Sequence, residues 1–379
     1  MNEVTDPGLL DATTEVVATA PAPSHMTPFF WGFIVILWIT AAVTLFGNIL
    51  VLLAFASDRK LGKINFNLYI VNLAITDICV SAIGMPLYAL DLYRGSWPFD
   101  QVTCALWILL DWGMTFLSIF TLVAISVDRY WAACWPNSYR KLNVTKFRTL
   151  VTIAVAWLCV ILIWVPPWLQ DRLTYSEPGT CVWSAENNRE YVLFVAIAGY
   201  HGPSFVMIFC YVKVYRVMQR SGTIFVRKIA PAVGSSKPGS SVVSQPSIQP
   251  SAGTSTIHTD DLSRGDQSTL TTTDGTSKGP AYISREVAQQ KKQSQMTKER
   301  RMFVSLSYIL IAYLVTWSPF HITFDVAYFK PDSVPFEWYS VAYSLAYANS
   351  MLNPILYATS SHDFRTAFKR ILTCKILKK

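Results

Sequence analysis

The sequence predicts an all-α membrane protein, a seven-transmembrane helix bundle with a short amphipathic C-terminal helix. Its 379 residues are 52% hydrophobic and only 15% charged, which is typical of membrane proteins rather than soluble domains. Apolar runs of at least about 20 residues, the length that crosses a bilayer, also recur along the chain. The runs lie at 29–56, 66–90, 104–133, 147–169, 191–215, 302–328 and 338–357.

The charges that flank the first span predict its orientation. The tail before it contains acidic residues and no Lys or Arg, whereas Arg59, Lys60 and Lys63 follow it directly. Because cytoplasmic loops are enriched in basic residues, the N-terminus is predicted to be extracellular and the C-terminus cytoplasmic. The net charge of +8 then indicates orientation and contact with anionic lipids, and no nucleic-acid binding is expected.

The chain is predicted to have five parts. These are an extracellular disordered tail at 1–28, transmembrane helices 1 to 5 at 29–219, a disordered third cytoplasmic loop at 220–296, helices 6 and 7 at 297–357, and a membrane-surface helix and C-terminus at 358–379. The loop is rich in Ser, Thr, Gly and Pro from Gly234 to Pro280, so it cannot bury enough apolar surface to fold. The last part places Phe364 and Phe368 at helical spacing among basic residues, which predicts an amphipathic helix on the membrane.

The third predicted span carries charges near both ends. Asp111 and Arg129 are 18 residues apart, which is five whole helical turns and about 27 Å, so both side chains point into the bundle. A carboxylate at membrane depth costs at least about 2.5 kcal/mol and therefore needs a partner. Asp111 is predicted to receive a cation, and Arg129 to act as a switch beside Asp128.

Three of the seven cysteines lie at the extracellular end of a span or outside the spans. Cys104 and Cys181 are on the predicted extracellular side, where oxidising conditions favour disulfides, so they are predicted to pair and to tie their loop over the helix of Asp111. Cys374 lies among basic residues near the C-terminus. It is predicted to be palmitoylated at the membrane surface, with an unmodified thiol as the alternative.

Each predicted span contains one recognisable motif. In order these are Asn48, Asp77, Asp128-Arg129-Tyr130, Trp157, Pro203, Trp317-Ser318-Pro319 and Asn353-Pro354-Ile355-Leu356-Tyr357. With them the chain resembles rhodopsin-like (class A) G-protein-coupled receptors of the biogenic-amine group. The resemblance covers nearly the whole chain except the N-terminal tail and the long cytoplasmic loop.

The resemblance implies a ligand pocket around Asp111. This residue occupies the place of the aspartate that binds the ammonium group of biogenic amines, and Tyr347 matches the tyrosine that braces it. Aromatic rings around a carboxylate favour a cation, above all a quaternary or methylated ammonium. The implied pocket residues are Asp111, Trp112, Thr115, Trp317, Phe320, His321, Tyr343 and Tyr347, with Trp107 as a further ring.

The identity of the amine stays open. Catecholamine receptors have serines on the fifth helix, where this chain has Val195, Ala196 and Gly199. The second, third and seventh helices are most similar to those of muscarinic acetylcholine and histamine-like receptors, which makes acetylcholine the leading candidate. Muscarinic receptors differ in having asparagine at His321 and tyrosine at Trp112. Histamine, serotonin, octopamine, tyramine or a peptide are the alternatives, and His321 either bonds a ligand or is satisfied by its neighbours.

The resemblance also implies an allosteric sodium ion and no other cofactor. The matching residues are Asp77, Ser118, Asn349, Ser350 and Asn353. Their oxygen atoms are the ligands that a hard cation prefers. A protonated Asp77 is the alternative, and no catalytic metal site is expected.

An activation switch and a G-protein site are implied at the cytoplasmic side. The residues concerned are Asp128, Arg129, Tyr130, Tyr211, Glu299, Pro319, Pro354 and Tyr357. Arg129 is expected to pair with Asp128 and to reach Glu299, and agonist binding is expected to hinge the sixth helix near Pro319. Tyr313 stands where the family usually has phenylalanine, so the packing of the switch is expected to differ.

The implied partners are a small amine, a heterotrimeric G protein of the Gi/o type, receptor kinases, arrestin and membrane lipids, at the plasma membrane of a synapse. An enzyme is not expected, because the sequence has no nucleophile–base set, phosphate loop or metal-binding Cys/His spacing. A channel or transporter would also place charges in spans. It would not need these motifs in this order, and many transporters contain an internal repeat, which this sequence lacks.

Overall fold

The computed structural model describes residues 28–141, 146–175, 177–183, 187–233, 304, 307–330 and 333–374. The described residues form eight principal helices and no strand. The helices are α1 (Pro28–Ser57), α2 (Asn67–Arg94), α3 (Gln101–Cys134), α4 (Lys146–Thr174), α5 (Arg189–Ala196, Ile197–His201 and Gly202–Val233), α6 (Ser307–Phe329), α7 (Phe336–Ser360) and α8 (His362–Leu372). Short helices Arg59–Gly62 and Pro136–Lys141 follow α1 and α3.

Helices α1 to α6 are long and apolar enough to cross a membrane. Helix α7 has 25 residues, which is about 37 Å of helix and also sufficient in length. It is less apolar because it carries buried polar residues, among them Ser340, Asn349, Ser350 and Asn353. Polar side chains in a membrane helix face the bundle interior, and the predicted all-α bundle is confirmed.

Helix α5 is longer than the sequence predicted. The loop was predicted to begin at residue 220, whereas the helix continues to Val233. The physical reason is that the Ser, Gly and Pro-rich composition, which disfavours helix, begins only at Gly234. The remainder of the predicted loop and the tail 1–27 lie outside the described residues.

Helices α2 and α5 each contain one π-helical turn, at Val80–Gly84 and Ile197–His201. Each turn is followed two residues later by a proline, Pro86 or Pro203. Proline lacks an N–H and crowds the carbonyl four residues before it, so a wider turn accommodates it. Such turns change which residues of a helix face its neighbours, and they are frequent at functional sites.

Helix α3 is central and packs against α2, α4 and α5. The Asn72 Nδ2 atom donates to Thr121 Oγ1 at 2.8 Å, and Trp157 Nε1 donates to Asn72 Oδ1 at 3.2 Å, so one amide joins α2, α3 and α4. Similarly, Asn48 Nδ2 donates to the Ser350 carbonyl at 3.2 Å and joins α1 to α7. Hydrogen bonds between membrane helices contribute about 1 kcal/mol each, so these amides stabilise the helix arrangement around the site.

The start of α3 is fixed by a helix cap and by the predicted disulfide. The Asp100 carboxylate accepts a hydrogen bond from the Thr103 backbone N–H at 2.7 Å, which holds the pKa of the Asp100 carboxyl below its ordinary value. Cys104 is bonded to Cys181, which lies 77 residues later in the segment after α4, so the predicted pairing is confirmed. We call this the disulfide end of the bundle.

Helix α8 is amphipathic, as predicted. Phe364 and Phe368 are buried, while Arg370 forms an ion pair with Asp58 at 3.6 Å and α8 packs on α1. Cys374 lies two residues after the end of the helix, and its thiol is free and exposed. This placement is accessible to a lipid-transferring enzyme, and palmitoylation stays a prediction.

Candidate functional site

Asp111 lies on α3 with only 3% of its surface exposed, and it is held by two tyrosines of α7. The Tyr343 hydroxyl donates to Oδ2 at 2.5 Å, and the Tyr347 hydroxyl lies 2.9 Å from both carboxylate oxygens. Donated hydrogen bonds of this kind stabilise the ionised carboxylate. No basic side chain of the described residues forms an ion pair with Asp111. The site therefore presents a buried negative charge that is oriented and available to a cation.

A pocket at Asp111 brings together all eight residues predicted to form it. Its lining is Asp111, Trp112, Thr115, Phe116, Trp317, Phe320, His321, Tyr343, Ala346 and Tyr347. Sequence reasoning missed Phe116 and Ala346, although helical spacing from Trp112 and Tyr343 was a signal that could have found them. The binding role of these residues stays a prediction.

Aromatic rings from three helices surround the carboxylate. Phe320 is central, with its ring centroid 5.3 Å from Tyr343, 5.8 Å from Trp112 and 6.1 Å from Trp317. The faces of aromatic rings carry partial negative charge and attract cations. The arrangement therefore suits a cationic group with an apolar surface.

Trp183, from the segment that follows Cys181, extends this aromatic cluster. Its ring centroid lies 5.7 Å from Trp112, and it stacks on Phe324 at 6.1 Å. The disulfide holds the segment against α3, so Trp183 packs over the rings of the pocket at the disulfide end. No motif marked this residue in the sequence, because its position depends on how the segment folds back.

Trp107 does not line the pocket, which corrects the expectation that it would add a ring. Its indole Nε1 donates to the Gly84 carbonyl at 3.3 Å, and its ring stacks on Trp97 at 4.9 Å. The residue lies four positions before Asp111 on the same face of α3, but α2 approaches closely there. The approach depends on Gly84, because a Cβ at this position would overlap the Asp111 carboxylate.

His321 is a buried histidine without a hydrogen-bond partner in the described part of the chain. Only 4% of it is exposed, and neither Nδ1 nor Nε2 is bonded. Its ring stacks on Tyr200 with 3.5 Å between centroids. An unsatisfied buried polar group costs about 1–3 kcal/mol. The sequence left two alternatives for His321, namely a hydrogen bond to a ligand or hydrogen bonds to neighbouring residues. No hydrogen bond to a neighbouring described residue is observed, so the imidazole is available to a molecule in the pocket.

Asp77 forms a second buried polar cluster deeper in the bundle. Its Oδ2 atom accepts a hydrogen bond from Asn353 Nδ2 at 2.8 Å, whereas its buried Oδ1 has no partner among the described residues. Ser118 lies beside it on α3 and bonds Thr76 at 2.7 Å. The five residues predicted for sodium are all buried. A free carboxylate oxygen among hydroxyl and amide groups fits the oxygen ligands of a hard cation.

Comparison with known proteins identifies the family of this chain. Residues 47–357 match the family model described as 7 transmembrane receptor (rhodopsin family). The chain belongs to this family. It is therefore a class A receptor and not an enzyme, and the predicted resemblance is confirmed.

Relatives of this rhodopsin-family receptor include muscarinic acetylcholine and adrenergic receptors. The muscarinic acetylcholine receptor M1 of Sus scrofa is 27% identical over 432 aligned residues, covering 95% of this chain and 92% of the relative. The M1 receptor of Homo sapiens is 26% identical with the same coverage. The alpha-2 adrenergic receptor of Carassius auratus is 29% identical over 375 residues, covering 89% of this chain and 84% of the relative.

At the receptor's opposite end, which is predicted to be cytoplasmic, Arg129 is bound to Asp128. Arg129 Nε donates to Asp128 Oδ2 at 3.0 Å, and a second bond joins its Nη2 to the same oxygen. The guanidinium also lies over the Phe66 ring at 4.4 Å. Tyr139, from the short helix after α3, donates to Asp128 Oδ1 at 3.2 Å. The predicted Arg129–Asp128 pair is thus present, together with a tyrosine that sequence reasoning missed.

Burial raises the pKa of the Tyr139 hydroxyl, so this group stays a donor to Asp128 at neutral pH. Tyr139 carried no sequence signal because its contact with α3 depends on the geometry of the turn at Trp135. Its bond adds a restraint to the carboxylate that holds Arg129.

The other predicted switch residues in the described part of the chain lie on α3, α5, α6 and α7. Tyr130 packs against Trp135 and Phe209. The Tyr357 hydroxyl is buried without a hydrogen-bond partner in the described segments, and its ring contacts Phe364 at 5.7 Å. Tyr211 lies half-buried on α5, Pro319 lies on α6, and Pro354 packs against Gly47. Glu299 lies outside the described residues.

Helices α5 and α6 are joined by polar contacts along their length. Tyr313, which is fully buried, lies with its hydroxyl 3.1 Å from Ser204 Oγ. The other two contacts join Tyr200 Oη to Ser318 Oγ at 3.3 Å and His201 Nε2 to Asp325 Oδ2 at 3.1 Å. The predicted difference in switch packing therefore takes the form of a hydrogen bond that phenylalanine cannot make.

Tyr313→Phe is expected to raise agonist-free signalling about threefold to fivefold. The substitution keeps the ring and removes one interhelical hydrogen bond of about 1 kcal/mol, so α6 is released more easily. G-protein dissociation without agonist, at matched surface expression, measures the effect. The control is Tyr308→Phe, which changes an exposed tyrosine of α6 and is expected to change nothing. Unaltered basal signalling in Tyr313→Phe would contradict a restraining role for the bond.

Proposed function

We propose that this receptor binds a small cationic amine at Asp111 and signals through a heterotrimeric G protein. The observation that carries the proposal is the buried Asp111 carboxylate, which is held by Tyr343 and Tyr347 and has no ion-pair partner among the described residues. The surrounding rings favour a cation. An uncharged or anionic ligand would leave this carboxylate unpaired, at a cost of several kcal/mol.

Acetylcholine is the first candidate for the amine. A quaternary ammonium is weakly hydrated and gains most from aromatic faces, and two of the relatives are muscarinic acetylcholine receptors by name. A catecholamine is less suitable, although an adrenergic receptor is also a relative. Helix α5 offers no hydroxyl at Val195, Ala196 or Gly199, and a Cβ at Gly199 would lie 2.5 Å from the Phe116 ring.

Histamine is the second candidate, and His321 favours it. Both imidazole nitrogens of His321 lack partners among the described residues, so one can donate and the other accept. The ester carbonyl of acetylcholine uses only the donor. A ligand that ends in a ring with both a donor and an acceptor satisfies His321 in either tautomer. The next candidates are serotonin, octopamine and tyramine, which end in a hydroxyl. A peptide ranks lower because the pocket is small and buried.

Ligand binding changes the relative populations of two helix arrangements. The ammonium pairs with Asp111 and packs against Phe320, whose ring contacts Trp317 at 6.1 Å. Trp317 in turn lies 6.4 Å from Tyr313, the residue that bonds α5. A ligand that fits best when α6 is displaced near Pro319 weakens these contacts. The opened end then admits a G-protein helix, for which Gi/o is the proposed type.

A sodium ion is proposed as an allosteric ligand of the cluster at Asp77. Ser118, Asn349, Ser350 and Asn353 would hold it with the free Oδ1 of Asp77. When bound, the ion supplies positive charge to a carboxylate that is fully buried. The proposal also includes regulation by receptor kinases and arrestin. It places the receptor in a synaptic plasma membrane with the N-terminus outside, in contact with lipids through α8 and Cys374.

The test is a panel of acetylcholine, histamine, serotonin, octopamine, tyramine and dopamine on cells that express the chain. The readout is dissociation of each G-protein type. We expect one amine to act at least about tenfold more potently than the rest, and dopamine to rank low because α5 lacks serines. Silence of all six amines on a receptor that reaches the cell surface would contradict the proposal and favour a peptide. Ion flux without G-protein dissociation would favour a channel.

A further inference from the structure

The last turn of α4 carries two adjacent charged residues, Asp171 and Arg172, at the disulfide end of the bundle. Asp171 is 1% exposed, and 9% of the Arg172 side chain is exposed. The Arg172 Nε atom donates to Asp171 Oδ2 at 2.7 Å, and its Nη2 atom donates to the same oxygen. Burial removes both charges from water, which is unfavourable unless further hydrogen bonds satisfy the two groups. The remaining contacts of the pair supply such bonds.

The Arg172 guanidinium also joins two other parts of the chain. Its Nη1 atom donates to the Cys104 sulfur at 3.1 Å, and Nη2 donates to the Val182 carbonyl at 2.9 Å. Cys104 lies in the first turn of α3, and Val182 follows the other cysteine of the disulfide. A guanidinium has five N–H donors in a rigid plane. One side chain therefore fixes α4, α3 and the segment that carries Trp183 relative to one another.

Asp171 connects the same corner of the bundle to α5. Its Oδ1 atom accepts a hydrogen bond from Asn188 Nδ2 at 2.5 Å. Asn188 is buried and immediately precedes α5, and its carbonyl accepts from the backbone N–H groups of Tyr191 and Val192 at 2.9 and 3.1 Å. Both oxygens of the Asp171 carboxylate are thus bonded. The pair holds the end of α4 and the start of α5, between which the segment with Trp183 lies in the sequence.

Trp183 directly follows the carbonyl that Arg172 holds. It is 3% exposed, and its ring centroid lies 5.7 Å from that of Trp112, which lines the pocket. The disulfide fixes the segment at Cys181, but the two soft torsions of Val182 would still allow the ring to turn away. The Val182 carbonyl belongs to the planar peptide unit that leads into Trp183. A hydrogen bond to this carbonyl therefore fixes the direction in which the Trp183 ring leaves the chain.

We propose that Arg172, held by Asp171, is a positioning residue of the amine site and acts on the pocket through Trp183. This inference rests on the proposed amine function. The guanidinium fixes the peptide plane before Trp183, and the indole ring in turn limits the positions that Trp112 takes in the pocket. Lysine cannot replace Arg172 here, because an ammonium group is a point charge without the planar fork that reaches all three partners at once.

Arg172→Lys tests the positioning without a ligand, because it keeps a positive charge beside Asp171 and removes the fork. Hydrogen–deuterium exchange of the full, ligand-free chain in nanodiscs is measured on peptides that contain Val182 and Trp183. We expect their exchange to be about fivefold faster, since the segment opens more easily without the bond to its carbonyl. Arg94→Lys is the control, because it changes an exposed arginine at the end of α2, and it should match the parent. Unchanged exchange in Arg172→Lys would overturn the positioning role.

The affinity of an amine tests the connection from Arg172 to the pocket. The probe is whichever of the six amines named above acts most potently on the parent chain. We expect Arg172→Lys to weaken its binding about fivefold in the parent, but by less than about twofold when Trp183→Ala is already present. The second loss is smaller because the ring through which Arg172 acts is absent.

A role of Arg172 in stability alone would give the same loss of affinity with and without the Trp183 ring. Equal losses in the two backgrounds would therefore overturn the proposal. Failure of all six amines to bind the parent chain would overturn the amine function, and with it the place of Arg172 in an amine site. The exchange measurement needs no ligand, so it decides separately whether Arg172 positions Trp183.

Discussion

Asp111→Asn is expected to lower amine potency by about 100-fold to 1000-fold, without loss of the receptor from the cell surface. Asparagine has nearly the same shape, and its amide oxygen still accepts hydrogen bonds from Tyr343 and Tyr347. The substitution removes only the charge that pairs with the ammonium. Breaking a buried charge pair costs about 3–5 kcal/mol, and 1.4 kcal/mol corresponds to a tenfold change.

The measurement is a concentration–response curve for the most active amine of the panel, with surface receptor counted in parallel. Asp100→Asn is the control, since it makes the same chemical change at an exposed carboxylate outside the pocket. We expect its curve to match that of the parent. Potency retained in Asp111→Asn at equal surface expression would contradict the role of Asp111 as the ammonium anchor.

The inward direction of Asp111 could be predicted from the sequence because the reason is local. A charge within an apolar span must face the bundle, and helical geometry then fixes the residues that share its face. The family resemblance supplied Trp112, Thr115 and the facing residues of α6 and α7. These predictions required no knowledge of how closely two helices approach.

The predictions that failed concern contacts that depend on how closely two helices approach each other. Trp107 shares a face with Asp111, yet it is excluded from the pocket because α2 comes within hydrogen-bond distance of it at Gly84. The approach lies at the end of the π-helical turn Val80–Gly84, and helical periodicity in the sequence cannot place such a turn. Tyr139 and Trp183 were missed for a related reason. Tyr139 lies on the short helix after α3 and Trp183 in the segment after α4, so both lie outside the predicted spans, and only the folded chain brings them to Asp128 and Trp112.

Replacement of both Cys104 and Cys181 by serine is expected to destabilise the receptor by about 4 kcal/mol and to weaken amine binding. The bond closes a loop of 77 residues, and loops of this size are the ones for which cross-linking most restricts the unfolded chain. Without it, the segment that carries Trp183 is no longer tied to α3. The ring that packs on Trp112 and Phe324 is then ordered for a smaller fraction of the time.

Thermal inactivation and amine affinity of the purified chain measure the two effects separately. The control is joint replacement of Cys134 and Cys159, two free, half-buried cysteines, by serine. A further variant, Trp183→Ala, keeps the disulfide and removes the ring. If the disulfide acts on the pocket through Trp183, this variant should lose amine affinity while it keeps most of its resistance to heat. If the receptor without the disulfide resists heat as well as the control does, the bond does not stabilise the bundle.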